Sequence, residues 1–292
     1  MADGFSFGDL KTGIKKSREE LAEEEPDWVK SSPEELIEKA ATDYLMQPEL
    51  RPFDDYYHPS QIYDMCPVAE FWVRIRRPEN LIREPQFGLN LMAAAGTAAH
   101  DYFQNGVFGP AKLLWGTWKC TNCTAVYRDT LLPDFCTDEM CGCNRLQFVE
   151  PAILNHAHKI RGHADGKFVI PESSSDAKKL MLEMKSKSAK AWPNYNKPSK
   201  KERVQGSIYL DCLGLDECAY VFICRDDYRY KIVIEEKKQD LVDQAYHTID
   251  SIEECVAAGK PDSVLMCQRK CGSAKTAKAR QCAFKHECWG AK

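Results

Sequence analysis

The sequence predicts a mixed α/β fold in which helices flank a central sheet. Segments of helical and strand periodicity follow one another in the order helix, cysteine-rich insertion, three strands, helix, two strands, helix. One of those strands, Leu180-Met181-Leu182-Glu183-Met184-Lys185, is apolar enough to lie inside a sheet, yet it carries two charges at alternate positions. A third observation adds two small segments to the core. Five of the 14 cysteines fall between residues 120 and 143, and four between 267 and 288.

The elements follow in order. Residues 1–30 are polar and acidic, and poor order is expected there. Ser32-Pro33-Glu34-Glu35 has the pattern of a capping box with proline at the first helical position, which predicts a helix through about Met46. After a loop rich in proline and tyrosine, Ser60 is placed to cap a helix carrying Cys66 toward Arg77. A further helix is expected from Leu89 to Gln104, including Gly96-Thr97-Ala98-Ala99-His100. Ala152 to Ile170 reads as a β-hairpin ending near Asp165, followed by the strand of Glu183. Helical spacing returns from Lys201 to Leu215. Ala219–Cys224 and Tyr228–Ile234 read as strands, and a helix from about Lys238 to Ala258 leads to the last cysteines. The expected organisation is an acidic segment over 1–56, a helical part over 57–114, the insertion over 115–149, a core over 150–260 and the cysteine segment over 261–292.

With 292 residues and 43% hydrophobic content, the chain can build a real core, as one large domain or two small ones. Met1-Ala2-Asp3-Gly4-Phe5 shows no basic stretch leading into an apolar run, and no apolar stretch approaches the ~20 residues of a membrane span. A cytoplasmic setting (bacterial or phage-infected) or a nuclear one is expected, without secretion or membrane contact. Disulfides are disfavoured there, so clustered cysteines read as metal sites. The net charge of −4 hides an asymmetry, because residues 1–56 hold 15 Asp/Glu against 7 Lys/Arg and the remainder is net basic. Lys178, Lys179, Lys185, Lys187, Lys190, Lys197, Lys200, Lys201 and Arg203 crowd one stretch, a pattern that suits a nucleic-acid backbone.

In a strand, Glu183 and Lys185 project to the same face, and Asp165 arrives from the strand before. Two hard carboxylate oxygens suit Mg²⁺ or Mn²⁺. A lysine beside such an ion is placed to hold a water or a phosphate. That set is the least equipment needed for metal-assisted cleavage of a phosphodiester.

Five features then stand in one order: Gly96-x-x-x-His100, Gly162-x-x-Asp165, Glu183-x-Lys185, Gln205-x-x-x-Tyr209, and a lone upstream cysteine with a cysteine cluster toward the C-terminal end. Over roughly residues 60–290, this set resembles the RecB-type branch of the PD-(D/E)XK nucleases. It is most similar to the iron–sulfur exonucleases related to the CRISPR-associated RecB-like nuclease and the AddB nuclease domain. The resemblance implies a restriction-endonuclease-like central sheet. It implies His100 as a metal-site residue, Asp165 and Glu183 as carboxylate ligands, the Met184 carbonyl as a further ligand and Lys185 as the catalytic lysine. Gln205 and Tyr209, one helical turn apart, would border the active site and contact DNA. The implied reaction is attack on phosphorus by a metal-activated water, without a covalent intermediate.

The same resemblance implies a [4Fe-4S] cluster held by one cysteine before the core and three after it. Cys66 is the upstream candidate, and Cys282-x5-Cys288 matches the last pair. Cys271 is taken for the remaining ligand with Cys267 as alternate, because the compact C-x2-C of many members is absent. Zinc is the rival metal for these four. In the insertion, Cys120-x2-Cys123 is a knuckle, and Cys141-Gly142 is like the second knuckle of a zinc ribbon. Four thiolates around a structural Zn²⁺ fit this pattern. Cys136 with Cys141 gives the natural loop, and Cys143 stands as alternate for either. Such a ribbon is expected to touch DNA or a protein partner. Cys212, Cys218, Cys224 and Cys255 are most simply core residues.

The expected function is a divalent-metal-dependent DNA nuclease, an exonuclease on single-stranded or frayed DNA ends, acting with replication or recombination proteins. The preference for ends comes from the resemblance alone. The leading alternative is a nuclease-fold DNA-binding subunit with little or no cleavage. A metal-cluster redox or sensor protein is a second.

Overall fold

A computed structural model describes residues 32–46, 49–78, 80–83, 87–171, 177–268, 270–273, 275–280 and 282–289. The expectation for residues 1–30 lies outside these. The chain divides into two compact units, residues 1–47 with 85–87, and residues 48–84 with 88–292. The first unit holds α1 (Pro33–Leu45). Its start follows from its sequence: the Glu35 N–H donates to Ser32 Oγ at 3.2 Å, and the Ser32 N–H donates to Glu35 Oε2 at 2.8 Å.

The second unit opens with β1 (Glu49–Pro52), α2 (Pro59–Ile62), α3 (Pro67–Arg76) and β2 (Asn80–Arg83). The single helix expected from Ser60 to Arg77 is therefore two helices. The proline ring of Pro67 disfavours helical backbone at the residue before it, and Cys66 is extended at φ −90° and ψ 113°. Cys66 stands at the N-terminus of α3 rather than inside a longer helix. Next, α4 (Phe87–Asp101) carries His100 and runs on as a π-helical segment, Tyr102–Phe108.

The sheet strands follow: β3 (Leu114–Cys120), β4 (Val126–Leu131), β5 (Leu146–Val149), β6 (Ala152–Asn155), β7 (Ile160–His163), β8 (Gly166–Ile170) and β9 (Lys178–Lys187). Then come α5 (Lys200–Leu213), β10 (Glu217–Cys224), β11 (Tyr230–Glu236) and α6 (Gln239–Ala258). Three short helices close the described chain, α7 (Ser263–Cys267), α8 (Ala277–Arg280) and α9 (Lys285–Trp289).

Seven strands form one mixed sheet in the order β11-β10-β9-β8-β3-β4, with β5 also on β3. Among the described strands of this sheet, only β9 and β10 run parallel, joined by α5 as the crossover that parallel pairing requires. The stretch expected as one hairpin from Ala152 to Ile170 serves two sheets. β6 and β7 pair with each other, while β8 joins the large sheet. Strands of the cysteine-rich segment extend that sheet, since β3 bonds to β8 through Leu114↔Phe168 and Trp115↔Lys167.

Strand alternation gives the sheet two packed faces. On one, Phe168, Leu180, Leu182, Met184 and Val221 pack with Trp118 and with Phe108 of the π-helical segment. On the other, Met181, Tyr220 and Phe222 pack with Tyr209 and Leu210 of α5. Residues Leu180 to Met184 are all buried, so β9 is a central strand covered on both sides. Truncating Leu182 to alanine would cost roughly 2–5 kcal/mol. A third cluster joins α2, α3, α5, α6 and α9 through Ile62, Phe71, Ile208, Ile249 and Cys288. Cys218, Cys224 and Cys255 are buried and Cys212 packs partly buried against the core, as expected of core thiols.

Candidate active site

Sheet register creates the site. β8 begins at Gly166, opposite Leu182, so Glu183 to Lys187 of β9 run on past its first residue. Asp165 fills the notch this leaves. Its Oδ2 accepts the Met184 N–H at 2.5 Å, giving that strand donor a partner. The Met184 side chain points to the opposite face, where it is fully buried. His100, at the end of α4, brings Nδ1 to 3.5 Å from Asp165 Oδ1.

Glu150 completes this side of the site, and the motif spacings had not pointed to it. One ligand atom each from His100, Glu150 and Asp165 lie within 4.8 Å of one another, so the three can bind a divalent ion. Gln104 holds two of them together: its Nε2 donates to Glu150 Oε1 at 3.1 Å and to the Asp165 carbonyl at 2.7 Å. Gln104 lies in the π-helical segment, whose wider turns shift the side-chain phase relative to α4. The local sequence Val149-Glu150-Pro151 marks only a strand end.

Glu183 stands next to this set and is 2% exposed. Its Oε1 accepts from Lys185 Nζ at 2.5 Å and from Gln205 Nε2 at 2.8 Å. Its Oε2 is buried and has no hydrogen-bond partner among the described residues. Burial, reinforced by the Asp165 charge, pushes the Glu183 carboxyl up to about 7 in spite of Lys185. Burial works against charge on Lys185, but the Glu183 carboxylate more than offsets it and raises the lysine. The same contest occurs at His100, where burial is outweighed by the hydrogen bond and charge of Asp165, with Glu183 adding to them.

The helix α5 completes the arrangement. Ser199 and Glu202 form its capping box, and Gln205 and Tyr209 follow one turn apart on its buried side. Gln205 Oε1 accepts from Lys185 Nζ at 3.2 Å, so a single amide fixes both ends of the Glu183–Lys185 pair. Tyr209 is buried, and burial, then the Glu183 and Asp165 charges, holds its phenol neutral well above the usual range. A Cβ on Gly162 would sit 2.7 Å from the Tyr209 hydroxyl. The glycine of the Gly162-x-x-Asp165 motif is thus what lets Tyr209 reach the site. All the motif residues His100, Asp165, Glu183, Lys185, Gln205 and Tyr209 therefore meet around one notch, with Glu150 added.

The basic stretch reads differently in three dimensions. Lys178, Lys187, Lys201 and Arg203 are ion-paired to Glu217, Glu202, Asp64 and Glu235, and Lys185 to Glu183. More than half of that run is neutralised within the protein.

Cys120, Cys123, Cys136 and Cys141 bring their sulfurs within 4.8 Å of one another and can hold a metal ion. Cys120 and Cys141 are 3.6 Å apart, and Cys123 and Cys136 3.5 Å. Tetrahedral zinc with bonds of about 2.3 Å would space its sulfurs by about 3.8 Å. Main-chain N–H groups of Asn122 and Ala125 donate to Cys120 and Cys123 at 3.4 and 3.5 Å, and the Tyr127 hydroxyl to Cys136 at 3.1 Å. The crowded thiols differ in acidity. The Ala125 N–H favours the Cys123 thiolate, yet burial and the neighbouring sulfurs push it up to about 12, while the Asn122 amide brings Cys141 down to about 7. Cys143 stands outside the set, accepting the Arg145 N–H at 3.2 Å.

The C-terminal segment folds back on α3. Cys66 and Cys288 pack in the same helical cluster, Arg76 is ion-paired to Glu287 and lies 5.0 Å over Phe284, and Lys270 donates to the Tyr63 carbonyl at 3.2 Å. Cys271 and Cys282 are half-buried. Among the described residues, no three of Cys66, Cys271, Cys282 and Cys288 have sulfurs within the 4.8 Å that suits one ion. An iron–sulfur cluster spaces its thiolates more widely than a single ion does. The side chain of Cys267 lies outside the described residues.

No protein-family model and no curated protein matches the sequence. Among solved structures, the chain is similar to the crystal structure of SSO0001, with 13% identity and a TM-score of 0.37 over 88% of this chain and 96% of that one. It is also similar to an alkaline exonuclease, LHK-Exo, from Laribacter hongkongensis, with 10% identity and a TM-score of 0.41 over 76% of this chain and 93% of that one. Among the described residues, no helix is long and apolar enough to cross a membrane.

Proposed function

We propose that the chain is a divalent-metal-dependent DNA nuclease, an exonuclease acting on single-stranded or frayed ends. One observation carries this reading. Glu183 is a buried carboxylate with one oxygen clamped by Lys185 and Gln205 and the other without a partner, beside Asp165 and His100. A buried carboxylate oxygen left unmet is costly, and a cation is its natural complement. His100, Glu150, Asp165 and Glu183, with the Met184 carbonyl, would hold Mg²⁺ or Mn²⁺, a set dominated by hard oxygen donors.

When bound, such an ion supplies Lewis acidity toward the phosphoryl oxygens and lowers the pKa of a water. The remaining chemistry belongs to the side chains. Lys185, kept cationic by Glu183, holds the scissile phosphate or the attacking water and offsets charge developing on the phosphoryl oxygens. Gln205 keeps Lys185 from swinging away. Tyr209, neutral and buried, closes the inner wall against bulk water. On the same reading Cys66, Cys271, Cys282 and Cys288 hold a [4Fe-4S] cluster, with Cys267 the alternate for Cys271. That Cys66 and Cys288 belong to one helical cluster supports it. The four-cysteine group in the β3–β5 segment holds structural zinc.

The test is cleavage of end-labelled single-stranded DNA with Mn²⁺, comparing the parent protein with Glu183→Ala. Label loss in the parent alone supports the reading. Equal loss in both would assign the activity to a contaminant and sink it.

A further inference from the structure

On the nuclease reading, we propose that a single DNA strand leaves the metal site across the same face of the sheet, its phosphates held by Lys167, Lys119 and Arg128. A cleft of about 350 Å³ lies there, lined by these three cations, by Glu150 and by Asp129. Glu150 also belongs to the His100–Glu150–Asp165 group, so the cleft and the candidate metal site share this residue.

Register shows that the cations share a face with Glu183 and Lys185. Lys167 pairs with Met181, which lies on the Glu183 side of β9. Trp115 pairs with Lys167, and alternation along β3 then puts Lys119 on that face while Leu114 and Trp118 are buried on the other. Lys119 pairs with Val126, and Arg128 stands at the β-bulge opposite Thr117, where it lines the same cleft. The strand order β9-β8-β3-β4 carries these groups away from the site, crossing about 10 Å from β8 to β4 and about 13 Å along β3, because Lys119 lies four residues beyond the Trp115 that pairs with Lys167.

Charge makes the same case. Unlike the neutralised lysines between residues 178 and 203, Lys119, Arg128 and Lys167 have no acidic partner within ion-pair distance among the described residues. Asp129 lines the cleft without pairing to any of them. Three cations against Glu150 and Asp129 leave the cleft net positive, and Glu150 is the group a metal ion would neutralise, so the complement of this field is an anion. The zinc group, which spans the β3–β4 turn at Cys120 and Cys123, would stiffen the wall that carries Lys119 and Arg128.

The experiment measures binding of a fluorescent oligo-dT, in Ca²⁺ to prevent cleavage, over a series of salt concentrations. The triple variant Lys119→Gln, Arg128→Gln, Lys167→Gln is compared with the parent and with a control of equal charge change on exposed lysines elsewhere, Lys39→Gln, Lys260→Gln, Lys275→Gln. The expected result is an affinity at least tenfold lower in the first variant only. The slope of log affinity against log salt should shrink by about 2, near 0.7 for each single-strand phosphate that the variant no longer neutralises. Mn²⁺ binding and melting temperature should stay at parent values, which separates a damaged track from a damaged fold. An unchanged affinity and slope, in a parent that shows Glu183-dependent cleavage, would overturn the track and leave the nuclease reading standing. A parent that neither binds nor cleaves DNA would overturn both.

Discussion

Gln205 donates its side-chain amide to Glu183 at 2.8 Å, reaching it from the helix that follows the glutamate's own strand. Because the same amide accepts from Lys185, one side chain sets the geometry of two others. Gln205→Leu keeps the volume and removes both bonds. Cleavage should fall roughly 10²-fold, the scale of a displaced catalytic group. Mn²⁺ affinity should change by a few-fold at most. Single-turnover rates and calorimetric metal binding would show this, and an unchanged rate would remove Gln205 from the machinery.

The metal-free protein should carry a pH signature. Folding raises the Glu183 carboxyl from 4.5 to about 7, so the fold prefers the protonated form. That contribution is complete below the unfolded value and is lost as pH rises through the folded one. In EDTA the melting temperature should therefore decline from about pH 5 to about pH 8 more steeply than in Glu183→Gln. Saturating Mn²⁺ should flatten the parent curve. Identical curves for parent and variant would assign the dependence to other groups.

The four-cysteine set, on the zinc reading, makes a selective prediction. Cys143→Ser should retain one zinc per chain from this segment, whereas Cys136→Ser or Cys141→Ser should lose it together with thermal stability. Elemental analysis after dialysis and a melting curve decide the matter. Loss of zinc in Cys143→Ser alone would replace one member of the set.

Protein purified without oxygen should be brown, with absorbance near ~400 nm from cluster-to-thiolate transitions. Cys288→Ser should lose the colour. A colourless anaerobic preparation carrying two zinc ions per chain would contradict the iron–sulfur assignment.

Gly162→Ala places a methyl 2.7 Å from the Tyr209 hydroxyl. A stability loss of about 1–3 kcal/mol is expected, as for other overpacked positions. Removing the hydroxyl with Tyr209→Phe should relieve only part of it, since the ring carbons also crowd the methyl at 3.1 and 3.3 Å. Urea unfolding of the single and double variants measures both.

Much of the site could be read from local periodicity. Strand alternation put Glu183 and Lys185 together, and helical spacing put Gln205 and Tyr209 on one side of α5. The break before Pro67 was also readable, because the rule governing Cys66 involves only its neighbour. Glu150 was not. Its position depends on β5 joining β3 and on a π-helical turn aiming Gln104, neither of which has a local signal. The lysine-rich stretch misled for a related reason. Charge in sequence does not reveal which cations meet carboxylates, and Lys201 meets an aspartate 137 residues away.

The parallel pairing of β9 with β10 bears on how the protein is made. The candidate site draws side chains from residue 100 to residue 209, and β9 gains its partner on one side only after α5 and β10 exist. During N-to-C synthesis, a chain halted anywhere before α5 has emerged from the ribosome lacks Gln205 and the pairing that seats Glu183. Truncated translation products would then be catalytically silent. On the proposed nuclease function, that is a safeguard to the DNA of the cell producing it.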